Sequence, residues 1–273
     1  MPVSVVWLLR PHGPATLPAT LGRAAHAALL ACVARRDNAL AEELHVPDAP
    51  RPHTCSNLLG TRPAGRGAVS VTADCQYRLR FTALDERLSA VLAEPTPTLE
   101  LDGHTFTVEQ ALTCQESDPW AGQATWQELS SPWLLKREPV SDRVALEWAS
   151  ATTFRSGGML VPLPLPGLVF GSLLDRWNAF APLALHEDLR RYAEECVAVE
   201  RYRLQTRALP LKKDSLQIGF VGECAYRLLR RDPFWMAQVQ LLADAAFYLG
   251  VGYQTAVGMG QARRKPSVLD EST

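Results

Sequence analysis

"PFWMAQVQLLADAAFYLGVGYQTAVGMGQARRK", residues 233–265, decides how the rest of the chain is read. Its first half, Pro233–Leu249, is an apolar run with the look of a helix. Four of the next eleven residues, Gly250 to Gly260, are glycine. "GQARRK" then reads as a last short strand. Glycine allows positive φ and lets another backbone come close, so glycine-rich loops often meet phosphates through bare N–H groups. Neither nucleotide motif fits. A dinucleotide fingerprint needs a third glycine where Thr255 stands. A phosphate-binding G-x-x-x-x-G-K loop fails because five residues separate Gly252 from Gly258 and Met259 follows. The helix also precedes the glycines instead of following them. Taken locally, the stretch is a helix C-cap and a turn into a final strand.

Working back from it, the second half of the chain repeats one rhythm. "RVALEWASATTFR" (143–155) is a strand, and "LPLPGLVFGSLLDRWNAFAP" (163–182) leads into a helix. "VAVERYRLQTRALPL" (197–211) and "DSLQIGFVGECAYRLLR" (214–230) are two long strands, and the quoted stretch closes the series. The first half has the same order. Val3–Arg10 is a strand, Thr20 caps a helix to about Arg35, and a short helix covers Asn38–His45. Extended segments flank a loop over Thr61–Gly67, Asp85–Ala93 is helical, and Asp102-Gly103 turns a hairpin. The expected fold is therefore α+β: two tandem ferredoxin-like (RRM-like, βαββαβ) domains. They are expected at 1–128 and 143–273, joined by a linker over 129–142 within the irregular-looking "SDPWAGQATWQELSSPWLLKREPVSD".

Composition narrows the function. The 273 residues are 47% hydrophobic, enough for one large core or two small ones. A net charge of −1 argues against a uniformly basic nucleic-acid binder. One segment is basic all the same: Arg201–Arg231 holds Arg201, Arg203, Arg207, Lys212, Lys213, Arg227, Arg230 and Arg231 against only Asp214 and Glu223. Six cysteines show no C-x-x-C pair. Cys55 lies two residues from His53, but one such pair is not a metal site. No metal and no cofactor are expected. The thiols read as reduced in a cytoplasmic, soluble protein, because neither a signal peptide nor a membrane-length apolar run is seen.

Five stretches carry a resemblance over nearly the whole chain: "GVGYQTAVGMG", "ATTFRSGG" with "PLPLPGLVFGSLLDRWNAF", "QIGFVGECAYRL", "LHVPDAPRPHTCSNLLG" and "YRLRFTALDERL". Together they resemble the Cas6 family of CRISPR-associated endoribonucleases, which cut precursor CRISPR RNA within its repeats. The resemblance implies a metal-independent reaction, in which the RNA's own 2′-hydroxyl attacks the adjacent phosphorus and leaves a 2′,3′-cyclic phosphate. It implies that the glycine loop lies against the RNA at the protein surface, with contacts at Gly252, Gly258 and Gly260 and with Arg263 adding charge. CRISPR repeat RNA, as a hairpin, is then the partner. Other subunits of a CRISPR effector complex and a second copy of this chain stay open as further partners, and a non-catalytic RNA-binding subunit is the alternative reading.

Such chemistry needs a base, an acid and positive charge, which histidine and arginine supply near neutral pH. His45 matches the family's leucine-histidine position and ends a helix, where the dipole favours a proton donor. His26 lies one turn after Arg23 in the first helix. Arg51 falls where relatives place a basic residue. Many relatives carry a tyrosine in the region that here reads "ALLACV", so a base at His26 would be a different group. His53 stands where an aromatic is common and is read as a packing or stacking residue. His12, His104 and His186 read as surface residues, and the tryptophans as core. Arg201, Arg203 and Arg207 alternate on one strand face and, with Lys212 and Lys213, form the expected groove for an RNA stem.

Overall fold

The computed structural model describes residues 1–46, 50–135, 139–212 and 215–265. Lys213 lies outside the described residues, and Lys212 is described as strand backbone only. The chain divides into two compact units. The first is Met1–Ala124 with Pro210–Ser215 and Gln254–Met259; the second is Thr125–Leu209, Leu216–Tyr253 and Gly260–Thr273.

The first unit runs β1 (Val3–Pro11), β2 (Ala15–Pro18), α1 (Gly22–Arg36), α2 (Asn38–His45), β3 (His53–Cys55), β4 (Arg62–Pro63) and β5 (Ala68–Val71). It continues with β6 (Tyr77–Ala83), α3 (Glu86–Ala93), β7 (Thr98–Leu101), β8 (His104–Leu112) and β9 (Gly122–Gln123). The main sheet has the order β3-β6-β1-β8-β7, with β9 also on β1. Four consecutive strands, β8-β1-β6-β3, are all antiparallel and follow the order of a βαββαβ unit. The apolar strand β1 is central because every neighbour can use its buried side chains. Trp7 sits opposite Leu79 and Ala111, and Val5 opposite Phe81. Helices α1 and α3 add Leu29, Val33, Leu88 and Leu92 to that core. Each such side chain contributes about 1.5–3 kcal/mol on burial. Trp7 is anchored by its indole N–H, which donates to the Leu92 carbonyl at 2.8 Å.

Helix starts show how the sequence works locally. Asp37 caps α2 through Leu40 N, and Asp85 caps α3 through Leu88 N. Thr20 does not cap α1 as expected; its hydroxyl donates to the Pro210 carbonyl. The orphan N–H groups of α1 are met from a distance. Asn57 Oδ1 accepts from Leu21 N at 2.9 Å and Gly22 N at 2.8 Å.

The second unit runs α4 (Trp126–Leu134), β10 (Arg143–Thr152), β11 (Phe154–Ser156), β12 (Met159–Val161), α5 (Pro166–Phe180) and α6 (Leu189–Cys196). Then come β13 (Val197–Lys212), β14 (Ser215–Leu228), α7 (Pro233–Leu249) and β15 (Ala262–Arg264). Its sheet order, β13-β14-β10-β15, is again that of the βαββαβ fold. Helix α7 is buried almost all round, which explains why the quoted stretch is apolar without a polar face. Phe170 packs edge-on against Tyr226, whose hydroxyl donates to the Pro164 carbonyl. Part of the stretch expected to be irregular is helical. Thr125 and Glu128 close a capping box that starts α4. Among the described residues no helix is long and apolar enough to cross a membrane.

Candidate active site and basic strand

The first unit gathers an imidazole cluster. Helix α1 carries His26 on its second turn, half-buried. Strand β3 carries His53 and Cys55, both fully buried and on one strand face. His53 Nε2 and His26 Nδ1 share a hydrogen bond of 3.1 Å, and the rings lie nearly parallel, 5.1 Å apart at 17°. Burial first, then the positive charge of Arg51 and of His45, push His26 down to about 4. His26 is therefore a neutral imidazole at physiological pH. Burial alone pushes the Cys55 thiol up.

His45 ends α2 and is exposed. Its Nδ1–H donates to the Ala41 carbonyl at 2.8 Å, which fixes that nitrogen and leaves Nε2 as the outward one. Arg51, half-buried, reaches His26 by its charge, and Arg23 is exposed on α1 one turn before it. Thus His26, His45 and Arg51 form one neighbourhood. Its arrangement offers a neutral imidazole, a second imidazole whose Nε2 faces outward, and guanidinium charge.

The glycine loop is built differently from the expectation of bare N–H groups at the surface. Gly258 and Gly260 are buried and Gly252 is partly so. Gly252, Gly258 and Gly260 all have positive φ. A Cβ on Gly252 would come 2.5 Å from the Thr153 carbonyl, and one on Gly258 would come 2.9 Å from Asn57 Nδ2. The close approach that these glycines permit is made by protein atoms. Asn57 Nδ2 donates to the Gly258 carbonyl at 3.2 Å, and the Thr255–Val257 turn lies on the start of α1. Arg263 is ion-paired with Glu147, its cross-strand partner, while Arg264 pairs with Asp244 and Lys265 with Glu223.

The basic strand does stand open. Arg201, Arg203 and Arg207 are exposed at alternate positions of β13. Arg207 bonds Gln205 at 3.2 Å. Arg201 and Arg203 have no ion-pair partner among the described residues.

Two residues of the imidazole cluster escaped the sequence reading. By sequence His53 reads as a packing or stacking residue, and the His53–Cys55 pair is too small for a site. The missing signal was the third member, His26, which the fold brings in from another element.

Two βαββαβ units, one of them with imidazoles beside a guanidinium, define a tandem ferredoxin-like protein. The family model described as CRISPR-associated endoribonuclease Cas6 matches residues 146–262. Thermus thermophilus Cas6 is 29% identical, over 97% of this chain and 98% of that one, with a TM-score of 0.72. A product complex of the same Cas6 is 28% identical, over 97% and 100%, with a TM-score of 0.79. A product complex of a different Cas6 is 30% identical, over 97% and 99%, with a TM-score of 0.73. No curated protein sequence matches the chain. The chain belongs to the Cas6 family of CRISPR-associated endoribonucleases.

Proposed function

We propose that this protein cuts precursor CRISPR RNA within its repeats without a metal cofactor, by attack of the RNA's own 2′-hydroxyl on the neighbouring phosphorus. His26 takes the 2′-hydroxyl proton. His45, as the imidazolium, gives its Nε2 proton to the departing 5′-oxygen and is left as the neutral Nδ1–H ring that Ala41 holds. Arg51 and Arg23 stabilise the charge on the phosphorane. The products are a 2′,3′-cyclic phosphate and a 5′-hydroxyl end, and no atom from water enters.

One observation carries the reading: His26, held neutral, lies in the same neighbourhood as the exposed His45 with its set tautomer. A base must be unprotonated to act, which suits His26; an acid must present its N–H outward, which His45 does at Nε2 once its ring is the imidazolium. The product complexes of the two relatives support repeat RNA as the ligand. In this reading residues 1–128 supply the acid–base groups and 143–273 supply the basic face of Arg201, Arg203 and Arg207; the linker expected at 129–142 begins inside α4 of the second unit. The glycines let their loop close on neighbouring protein atoms. Incubation with end-labelled repeat RNA tests the proposal. A single cut is expected. Tight binding without a cut would favour a non-catalytic RNA-binding subunit.

A further inference from the structure

We propose that His26, His53 and Cys55 form a binding site for a zinc-like divalent cation, and that the bound cation silences the nuclease by occupying His26. Binding rests on the cluster alone; silencing also rests on His26 acting as the base.

The cluster has three donors whose ligand atoms, two imidazole nitrogens and one sulfur, all lie within 4.8 Å of one another. It is the only such group of three among the described residues. A tetrahedral zinc ion, with Zn–N bonds of about 2.0–2.1 Å and a Zn–S bond of about 2.3 Å, holds its ligand atoms roughly 3.3–3.7 Å apart. The two nitrogens already stand 3.1 Å apart. A modest movement of the sulfur completes three corners, and the fourth stays open. The donor set contains thiol and imidazole and no carboxylate, which selects zinc, cobalt or cadmium over magnesium or calcium.

The scaffold suits a site. His53 and Cys55 share one face of β3, the edge strand of the main sheet, paired to Ala83 and Phe81 of β6. His26 lies on a helix packed against that strand. Ligands on such elements keep their spacing better than ligands on loops. His53 and Cys55 are fully buried and His26 is half-buried, so a cation enters past His26.

The proton balance is simple. In the cation-free protein one proton sits between the two imidazoles. On binding, the ring that carries it shifts that proton to its other nitrogen, and both bridging nitrogens turn their lone pairs to the cation. Cys55 binds as thiolate, so one proton leaves for solvent per cation.

Cobalt(II) is the probe, added to the full-length, EDTA-treated protein at neutral pH. The expected result is one equivalent bound, with thiolate-to-cobalt charge-transfer absorption and the strong visible bands of a tetrahedral ion. Cys55→Ala should abolish the charge-transfer band and weaken binding more than about 10-fold. In the cleavage assay zinc should inhibit the wild type, EDTA should restore it, and Cys55→Ala should need at least about 10-fold more zinc. Absence of the charge-transfer band in the wild type overturns the site, whatever becomes of any variant's folding. Equal zinc sensitivity of wild type and Cys55→Ala overturns the silencing. A protein that binds cobalt this way yet never cuts RNA keeps the site and sinks the proposed nuclease.

Discussion

Asn57 and Gly258 are joined by a hydrogen bond from the Asn57 amide to the Gly258 carbonyl, 3.2 Å long, while the same side chain caps helix α1 through Leu21 N and Gly22 N. One residue thus secures the helix that carries His26 and the loop that packs on its first turn. Loss of an N-cap costs about 0.5–2 kcal/mol. Asn57→Ala should lower stability by about 1–2 kcal/mol in urea unfolding. Asn57→Asp, which keeps the acceptor and loses the amide donor, should cost less. Equal loss in both variants would mean that the cap contributes nothing.

Gly22 opens α1, where alanine would ordinarily stabilise a helix by about 1 kcal/mol. Here the sign should reverse. A Cβ at Gly22 would lie 2.0 Å from the Val257 carbonyl, a backbone atom that cannot swing aside. Gly22→Ala should destabilise by at least about 1 kcal/mol in thermal or urea unfolding. A stabilised Gly22→Ala protein would show that the loop does not pack there.

The His26 environment predicts a slope of stability with pH. Its ordinary value is 6.5 and the folded value is about 4. Between these the unfolded chain binds more protons than the folded one, so stability falls as pH falls. The loss is spread from about 6.5 down to about 4 and, discounted for solvent screening at a half-buried ring, totals about 2 kcal/mol. His26→Gln, which does not titrate, should flatten that part of the curve. An unchanged slope in unfolding experiments over this range would place His26 in a wetter site than described.

The exposed face of β13 should show itself in salt dependence. Each phosphate that a Lys or Arg neutralises releases counterions and adds about 0.7–0.9 to the slope of log affinity against log salt. Replacing Arg201 and Arg203 together by glutamine should lower the slope by about two if both meet phosphate. A slope equal to wild type would make this a solvated face.

The fold was legible where periodicity and capping speak. The short helix Asn38–His45, the Asp102-Gly103 hairpin and the two long strands stand where the pattern puts them. The Thr125–Glu128 box follows the capping pattern as well, but the surrounding tryptophan, serine and proline hide it. The strand pairs β2–β5 and β11–β12 were hidden because short strands carry too few residues for alternation to show. At the site, His45 and His26 could be chosen from chemistry. Their environments could not, because the pKa of His26 depends on burial and on neighbours 19 and 25 positions away in the chain. The glycines were ambiguous for a physical reason. Glycine is needed wherever a backbone is approached closely, and sequence does not say whether RNA or protein does the approaching.

The central claim is a histidine-assisted attack by the RNA's own hydroxyl, and one substrate tests it: repeat RNA with a single 2′-deoxynucleotide just before the cut, assayed at single turnover in EDTA beside the unmodified RNA. The account predicts full cleavage of the unmodified RNA in EDTA, a 2′,3′-cyclic phosphate on its 5′ fragment, and a rate at least about 10²-fold lower for His45→Ala with repeat affinity little changed. It predicts no cleavage of the deoxy RNA, which should still bind. Cleavage of the deoxy RNA, or loss of activity in EDTA, would show that water or a metal-bound hydroxide attacks, and would contradict the mechanism.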